Sequence, residues 1–138
     1  MKRLVLDNSV SMAWFFADEA NDYTVAVLEC LTDHSCHVPS IWSLEASNVL
    51  LTGLKRGRCN DADVTRFITL LDALPISTDH RTPEQALHEV FRLAQQYQLT
   101  SYDAAYLELA IREGIPLATQ DKALVRAAEK AGVHLFAP

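Results

Sequence analysis

The sequence predicts an α/β fold: a short parallel sheet of about five strands covered by helices on both faces. Three observations lead there. The strand-like runs are short and apolar without polar alternation, as strands buried on both sides are. Stretches of helical spacing separate them, long enough to carry the chain back to the same edge of a sheet. Acidic residues follow two of these runs closely, and in such sheets sites lie beyond the carboxyl ends of the strands. The 138 residues fit one domain, so a single domain over 1–138 is expected.

Taken in order, Leu4-Val5-Leu6 reads as a buried strand, followed by a helix over roughly residues 9–16. Residues 22–33 form a second helix with Tyr23, Val27, Leu28 and Leu31 apolar, and Cys36-His37-Val38 a strand closed by Pro39. A helix over about 41–55 ends near Gly57. Asn60 has the chemistry of an N-cap, and Val64, Phe67, Ile68, Leu71 and Leu74 repeat at helical spacing behind it. Pro75-Ile76-Ser77 reads as a short strand. Thr82-Pro83-Glu84-Gln85 is a helix start, with Thr as cap, Pro at the first position and Gln at the third; its apolar face is Leu87, Val90, Phe91 and Ala94. Thr100 caps the next helix, with Tyr106, Leu107, Ala110 and Ile111 apolar and Gly114 as its stop. Pro116-Leu117-Ala118 is a strand, residues 121–131 a helix stopped by Gly132, and Val133-His134-Leu135-Phe136 the last strand.

Composition narrows the function. Hydrophobic residues make up 49% and charged residues 22%, ordinary for a globular domain. No apolar run approaches the ~20 residues that span a bilayer. In the opening MKRLVLDNSV, Asp7 ends the apolar stretch too early for a secretory signal, so a cytoplasmic location is expected. Three cysteines, an odd number without a CxxC, argue against a disulfide framework. Cys30, His34, Cys36 and His37 are zinc-type ligands, but their spacing fits no zinc motif and reads better as a helix end running into a buried strand. A net charge of −6 excludes a general nucleic-acid coat, leaves room for an enzyme acting on nucleic acid, and favours a basic protein partner.

Four acids carry the chemistry: Asp7, Glu45, Asp103 and Asp121. Only a parallel topology brings Asp7, Asp103 and Asp121 to one edge. Carboxylates gathered there repel one another, and a hard divalent cation makes the cluster tolerable. Each also has a plainer reading. Asp7 and Asp121 suit helix N-caps, Asp103 is the acid of a Thr100-Ser101-Tyr102-Asp103 capping box, and Glu45 suits an exposed position on its helix.

The wording around the acids adds to this. The runs are Val5-Leu6-Asp7-Asn8-Ser9-Val10, Trp42-Ser43-Leu44-Glu45-Ala46-Ser47-Asn48-Val49-Leu50, Ser101-Tyr102-Asp103-Ala104-Ala105-Tyr106-Leu107-Glu108-Leu109-Ala110, and Ala118-Thr119-Gln120-Asp121-Lys122-Ala123-Leu124. In this order they resemble the PIN-domain family, especially the VapC-type toxins of bacterial toxin–antitoxin pairs, over nearly the whole chain. No single run is specific; the ordered set is. The resemblance implies a metal-dependent endoribonuclease that hydrolyses phosphodiester bonds with a metal-activated water, leaving 5′-phosphate and 3′-hydroxyl ends. It implies that Asp7, Glu45, Asp103 and Asp121 bind Mg²⁺ or Mn²⁺, and that Ser9, Asn48 and Thr119 orient carboxylates, metal water or phosphate. It also implies a homodimer held inactive by a cognate antitoxin, with RNA as substrate. Lys122 and Arg126, flanking Asp121, are the favoured phosphate contacts; the cluster Lys55, Arg56 and Arg58 also suits a helix C-terminus. Trp14, Phe15 and Phe16 suit either a partner groove or the core. None of the five histidines has a place in this mechanism.

Two rival readings are a noncatalytic PIN-like module that binds RNA or protein, and a phosphoryl-transfer protein with Asp7 as nucleophile. The first predicts loss of an acid from the quartet, and all four are present. The second wants further acids beside the nucleophile, where this chain has Asn8 and Ser9.

Overall fold

A computed structural model describes residues 2–138. Four strands, β1 (Lys2–Leu6), β2 (His34–Pro39), β3 (Ile76–Asp79) and β4 (Leu117–Ala118), form one parallel sheet in the order β3-β2-β1-β4. Leu4, Val5 and Leu6 of β1 are all fully buried. Successive strand side chains point to opposite faces, so both faces of the sheet are covered. The sheet has four strands where about five are expected: residues 133–136 keep only one bridge, Leu135 to Leu117. β4 is two residues long, and so short a neighbour supports no longer ladder.

The helices are α1 (Asn8–Ser11), α2 (Asp22–Cys30), α3 (Trp42–Lys55), α4 (Asp61–Ala73), α5 (Thr82–Gln85), α6 (Phe91–Tyr97), α7 (Ser101–Glu113) and α8 (Lys122–Ala131). The first helix is shorter than expected. It tightens into a 3₁₀ turn at Met12–Trp14, where the indole of Trp14 donates to the Thr24 carbonyl at 2.8 Å. α2 starts with a capping box between Asn21 and Thr24, and α4 with one between Asn60 and Asp63. Gly114 and Gly132 end α7 and α8 in the left-handed region that favours glycine.

The start of α5 departs from expectation. Thr82 makes no side-chain cap; its hydroxyl instead donates to Asp79 at 3.2 Å and accepts from the Ser40 amide at 3.2 Å. A π-helical stretch, Ala86–Val90, then interrupts the helix. The wider turn shifts the phase, so Val90, Leu93 and Ala94 are buried while Leu87 and Phe91 are 84% and 56% exposed.

α7 runs through the interior. Seven consecutive residues, Ala104 to Ala110, are buried, and they pack with β1, β2, α6 and α8. Its C-terminal end is fixed by Arg112. The guanidinium donates to both Asp79 oxygens, at 3.0 and 2.8 Å, and to Glu108 at 2.9 Å. This holds the Asp79 carboxyl below its usual range. The Cys30-His34-Cys36-His37 group serves β2. His34 sits 2.7 Å from Asp33 and 3.1 Å from the Cys30 carbonyl, and burial pushes the Cys36 thiol up to about 12.

Removing one partner of such a desolvated ion pair strands the other charges. Arg112→Ala should lower stability in urea unfolding by about 3 kcal/mol, whereas Arg92→Ala, which breaks an exposed pair with Glu89, should leave the midpoint in place.

Candidate active site

The chain order places four segments at one edge. β1 delivers Asp7 at its carboxyl end. The register Val5 to Leu117 and Leu6 to Ala118 sets Thr119 beside Asp7, and the Asp7 amide donates to the Ala118 carbonyl at 3.0 Å. α7 descends into β4 through Gly114, so its N-terminal turn, with Asp103, returns to that same edge. α3 follows β2 and adds Glu45 in its first turn. The strand order reverses between β1 and β4, the crevice where open α/β sheets carry their sites.

Asp7 is only 4% exposed. It occupies the N-cap position of α1 but caps nothing with its side chain. Its Oδ2 accepts from Ser9 Oγ at 2.7 Å and from Thr119 Oγ1 at 2.8 Å. Burial raises its pKa, the two hydroxyls pull it back, and the charge of Asp121 raises it. Thr119 Oγ1 also accepts from the Asp121 amide at 3.1 Å, which makes it the joint between two of the acids.

Glu45 is half-buried. Its Oε1 accepts from the Tyr106 hydroxyl at 2.6 Å and from Asn8 Nδ2 at 3.5 Å. Burial and then the charge of Asp7 raise its pKa, against the hydrogen bond from Tyr106. Asp103 titrates well above an ordinary carboxylate, at about 6, through burial and then the charges of Asp121, Asp7 and Glu45. The charges of Asp121, Asp7 and Glu45 thus all bear on Asp103. Asp121 also serves as the cap of α8, accepting from the Leu124 amide at 2.9 Å. Thr100 caps α7 by accepting from the Asp103 amide at 3.1 Å.

Among the described residues, no three carboxylate, imidazole or thiolate groups stand close enough to enclose a metal ion as placed. The donors still suit a hard divalent cation. All four are carboxylates, their mutual repulsion is visible in the raised Asp103, and Mg²⁺ keeps much of its water while binding one or two carboxylates.

The other expected residues divide. Ser9 and Thr119 lie against Asp7 as described. Asn48 is exposed, one turn beyond Glu45, and lines an open groove of about 510 Å³ with Glu45, Leu44 and Tyr102. Lys122 and Arg126 are exposed and make no ion pair among the described residues. Arg58 is committed elsewhere, to Asp18 at 2.9 Å and over the Phe16 ring at 4.0 Å. Phe16 is buried, and Trp14, Phe15 and Phe16 line one wall of a groove of about 640 Å³. Core packing thus holds for Phe16, while Trp14 and Phe15 are only partly buried.

Sequence reasoning missed Asn8, Tyr106 and Gln120. Asn8 Nδ2 donates to the Trp42 carbonyl at 3.0 Å and to the Tyr106 hydroxyl at 3.3 Å. The Gln120 amide donates to Ser9 Oγ at 2.8 Å, and its side chain ties the Ser9 carbonyl to Asn21. The available signal was position: Asn8 adjoins Asp7, Gln120 adjoins Asp121, and Tyr106 lies one turn after Asp103.

The PIN domain profile matches residues 4–130. Among solved structures, PAE2754 from Pyrobaculum aerophilum is 22% identical, with a TM-score of 0.68 over 91% of this chain and 84% of that one. VapBC2 from Rickettsia felis, bound to a DNA fragment from their promoter, is 15% identical, with a TM-score of 0.67 over 97% of each chain. FitAcB from Neisseria gonorrhoeae is 18% identical, with a TM-score of 0.52 over 98% of this chain and 97% of that one. At these identities the likeness speaks for the fold. No curated protein matches in sequence.

In metal-free protein, a carboxyl NMR titration should find Asp103 near 6 and lower after Asp121→Asn. Its folded pKa exceeds the unfolded 3.8, so ionisation costs the folded state stability, and that cost develops as pH rises from about 4 to about 6. Asp103→Asn should therefore melt higher than the parent at pH 7, with the gap closing by pH 4.

Proposed function

Because the chain belongs to the PIN-domain family, we propose that it is a metal-dependent endoribonuclease of the VapC toxin type, restrained by a cognate antitoxin. The observation that supports this reading is the gathering of Asp7, Glu45, Asp103 and Asp121 at one sheet edge, where burial first and then the charges of the other three raise Asp103 to about 6. Simple capping does not require that convergence. Asp121 is the one acid of the four that also caps, and Asp7 is held by hydroxyls instead.

Asp7, Glu45, Asp103 and Asp121 would hold Mg²⁺ or Mn²⁺, which when bound supplies a water of lowered pKa and offsets charge on the leaving oxygen. The chain's own residues do the rest. Ser9 and Thr119 aim the Asp7 carboxylate, and their hydroxyls favour its charged form against the larger effect of burial. Lys122 and Arg126 hold RNA phosphates beside Asp121, and Asn48 offers its amide to the substrate at the rim. Hydrolysis leaves a 5′-phosphate and a 3′-hydroxyl.

Surfaces support the partners. The aromatic groove of Trp14, Phe15 and Phe16 suits an apolar antitoxin segment, and the acidic cluster suits a basic side chain from it. Exposed Leu44, Leu87, Phe91 and Tyr102 suit a contact between two copies in a homodimer. The likeness to VapBC2 and FitAcB supports an antitoxin partner. No helix among the described residues is long and apolar enough to cross a membrane, and we place the protein in the cytoplasm, where RNA is met. A noncatalytic binding module is the second reading, favoured by the open spacing of the acids.

Cleavage of a mixed RNA pool separates the two. The enzyme reading expects products with Mg²⁺ or Mn²⁺ and none with EDTA; intact RNA in every lane would favour the binding module. Asp7→Asn and Asp103→Asn should each abolish cleavage without lowering the melting temperature. Collapse of both folds, with activity per folded molecule retained, would return these acids to structural roles. Replacing Lys122 and Arg126 by Ala should weaken RNA binding at all sequences and reduce the salt slope by roughly 1 for each lost phosphate contact.

A further inference from the structure

Glu45 is the acid whose position its own backbone fixes least. Asp7 stands at a strand end, Asp121 at the N-cap of α8 and Asp103 in a capped first turn, each on a short side chain. Glu45 has one more rotatable bond, lies half-buried, and faces the repelling charge of Asp7. Unrestrained, its carboxylate would swing toward water. Two residues prevent this, and neither belongs to the quartet. The hydroxyl of Tyr106, a fully buried side chain, donates to Glu45 Oε1 at 2.6 Å. Asn8 Nδ2 reaches the same oxygen at 3.5 Å and the Tyr106 hydroxyl at 3.3 Å.

The amide of Asn8 is itself oriented. Ser11 Oγ donates to its Oδ1 at 3.0 Å, and the Trp42 indole donates to that Ser11 Oγ at 3.2 Å. The Nδ2 side is therefore turned to the Trp42 carbonyl, Tyr106 and Glu45. Both hydrogen bonds to Glu45 fall on Oε1, and among the described residues Oε2 has no hydrogen-bond partner. One oxygen is pinned and the other is presented. Asn8 directly follows Asp7, and Tyr106 lies one turn after Asp103 on α7, so the same junction links three of the four acids.

We propose that Asn8 and Tyr106 are positioning residues that clamp Glu45 Oε1 and hold its other oxygen ready for a divalent cation, a role that rests on the metal-dependent reading above. The clamp acts through Glu45 and not by supporting the fold. Partners that orient a ligand typically affect metal affinity 10–100-fold.

The test is Mn²⁺ binding to the metal-free full chain, read by calorimetry and by the electron-spin signal of free Mn²⁺, beside thermal melts. Tyr106→Phe should weaken binding about tenfold or more, with the metal-free melting temperature kept. Asn8→Ala should act in the same direction and serves if Tyr106→Phe folds poorly. In a Glu45→Gln background neither change should weaken binding further, because the group they position is no longer a charged ligand. Parental affinity in Tyr106→Phe and Asn8→Ala would overturn the clamp while leaving the nuclease reading intact. So would equal losses with and without Glu45→Gln, which mark a structural role. A parent protein that binds no Mn²⁺ would overturn the metal-dependent reading and the clamp together.

Discussion

The burial of one charge organises this molecule. Asp7 closes the central strand where almost no water reaches it, and a carboxylate there is costly unless its lone pairs are satisfied. The nearest donors are the hydroxyls of Ser9 and Thr119, one from the helix that follows β1 and one from the loop that follows β4. Satisfying Asp7 therefore holds two chain segments together that are more than a hundred residues apart in sequence. The parallel register of β1 and β4 makes that meeting possible, since it sets Thr119 level with Asp7. The other acids gather around this fixed point, each raising the cost of ionising its neighbours.

Much of this was legible from residue order alone. Apolar runs without alternation predict strands buried on both faces, and Leu4-Val5-Leu6 is one. Asn60 and Thr100 announce their helices by chemistry that works locally, and both cap as expected. Thr82 shows where local chemistry fails. Its hydroxyl had two uses, and the link between Ser40 and Asp79 won over the cap. Leu87 and Phe91 fail differently: a π turn has no strong sequence signature, and one wider turn rotates an apolar face into solvent.

At the site, the acids could be named because the runs around them, in their order, resemble the PIN-domain family. Their supports could not. Asn8, Tyr106 and Gln120 act through contacts spanning 98 or more positions for three of the pairs they make, which no local pattern encodes. Tyr106 reads as one more apolar residue on a helix face, and its body is indeed core; only the hydroxyl at its tip reaches Glu45. Asn48 shares a helix face with Glu45 and lies exposed in the solvent-open groove that Glu45 also lines.

Enclosure of α7 limits where this protein can diversify. From Ala104 to Ala110 every side of that helix meets protein, so a change within that stretch disturbs the interior. Sequence change has more room at the rim, where exposed Leu44, Asn48 and Tyr102 border Glu45. A library randomised at those three positions would vary the border of the acidic cluster on an unaltered chassis.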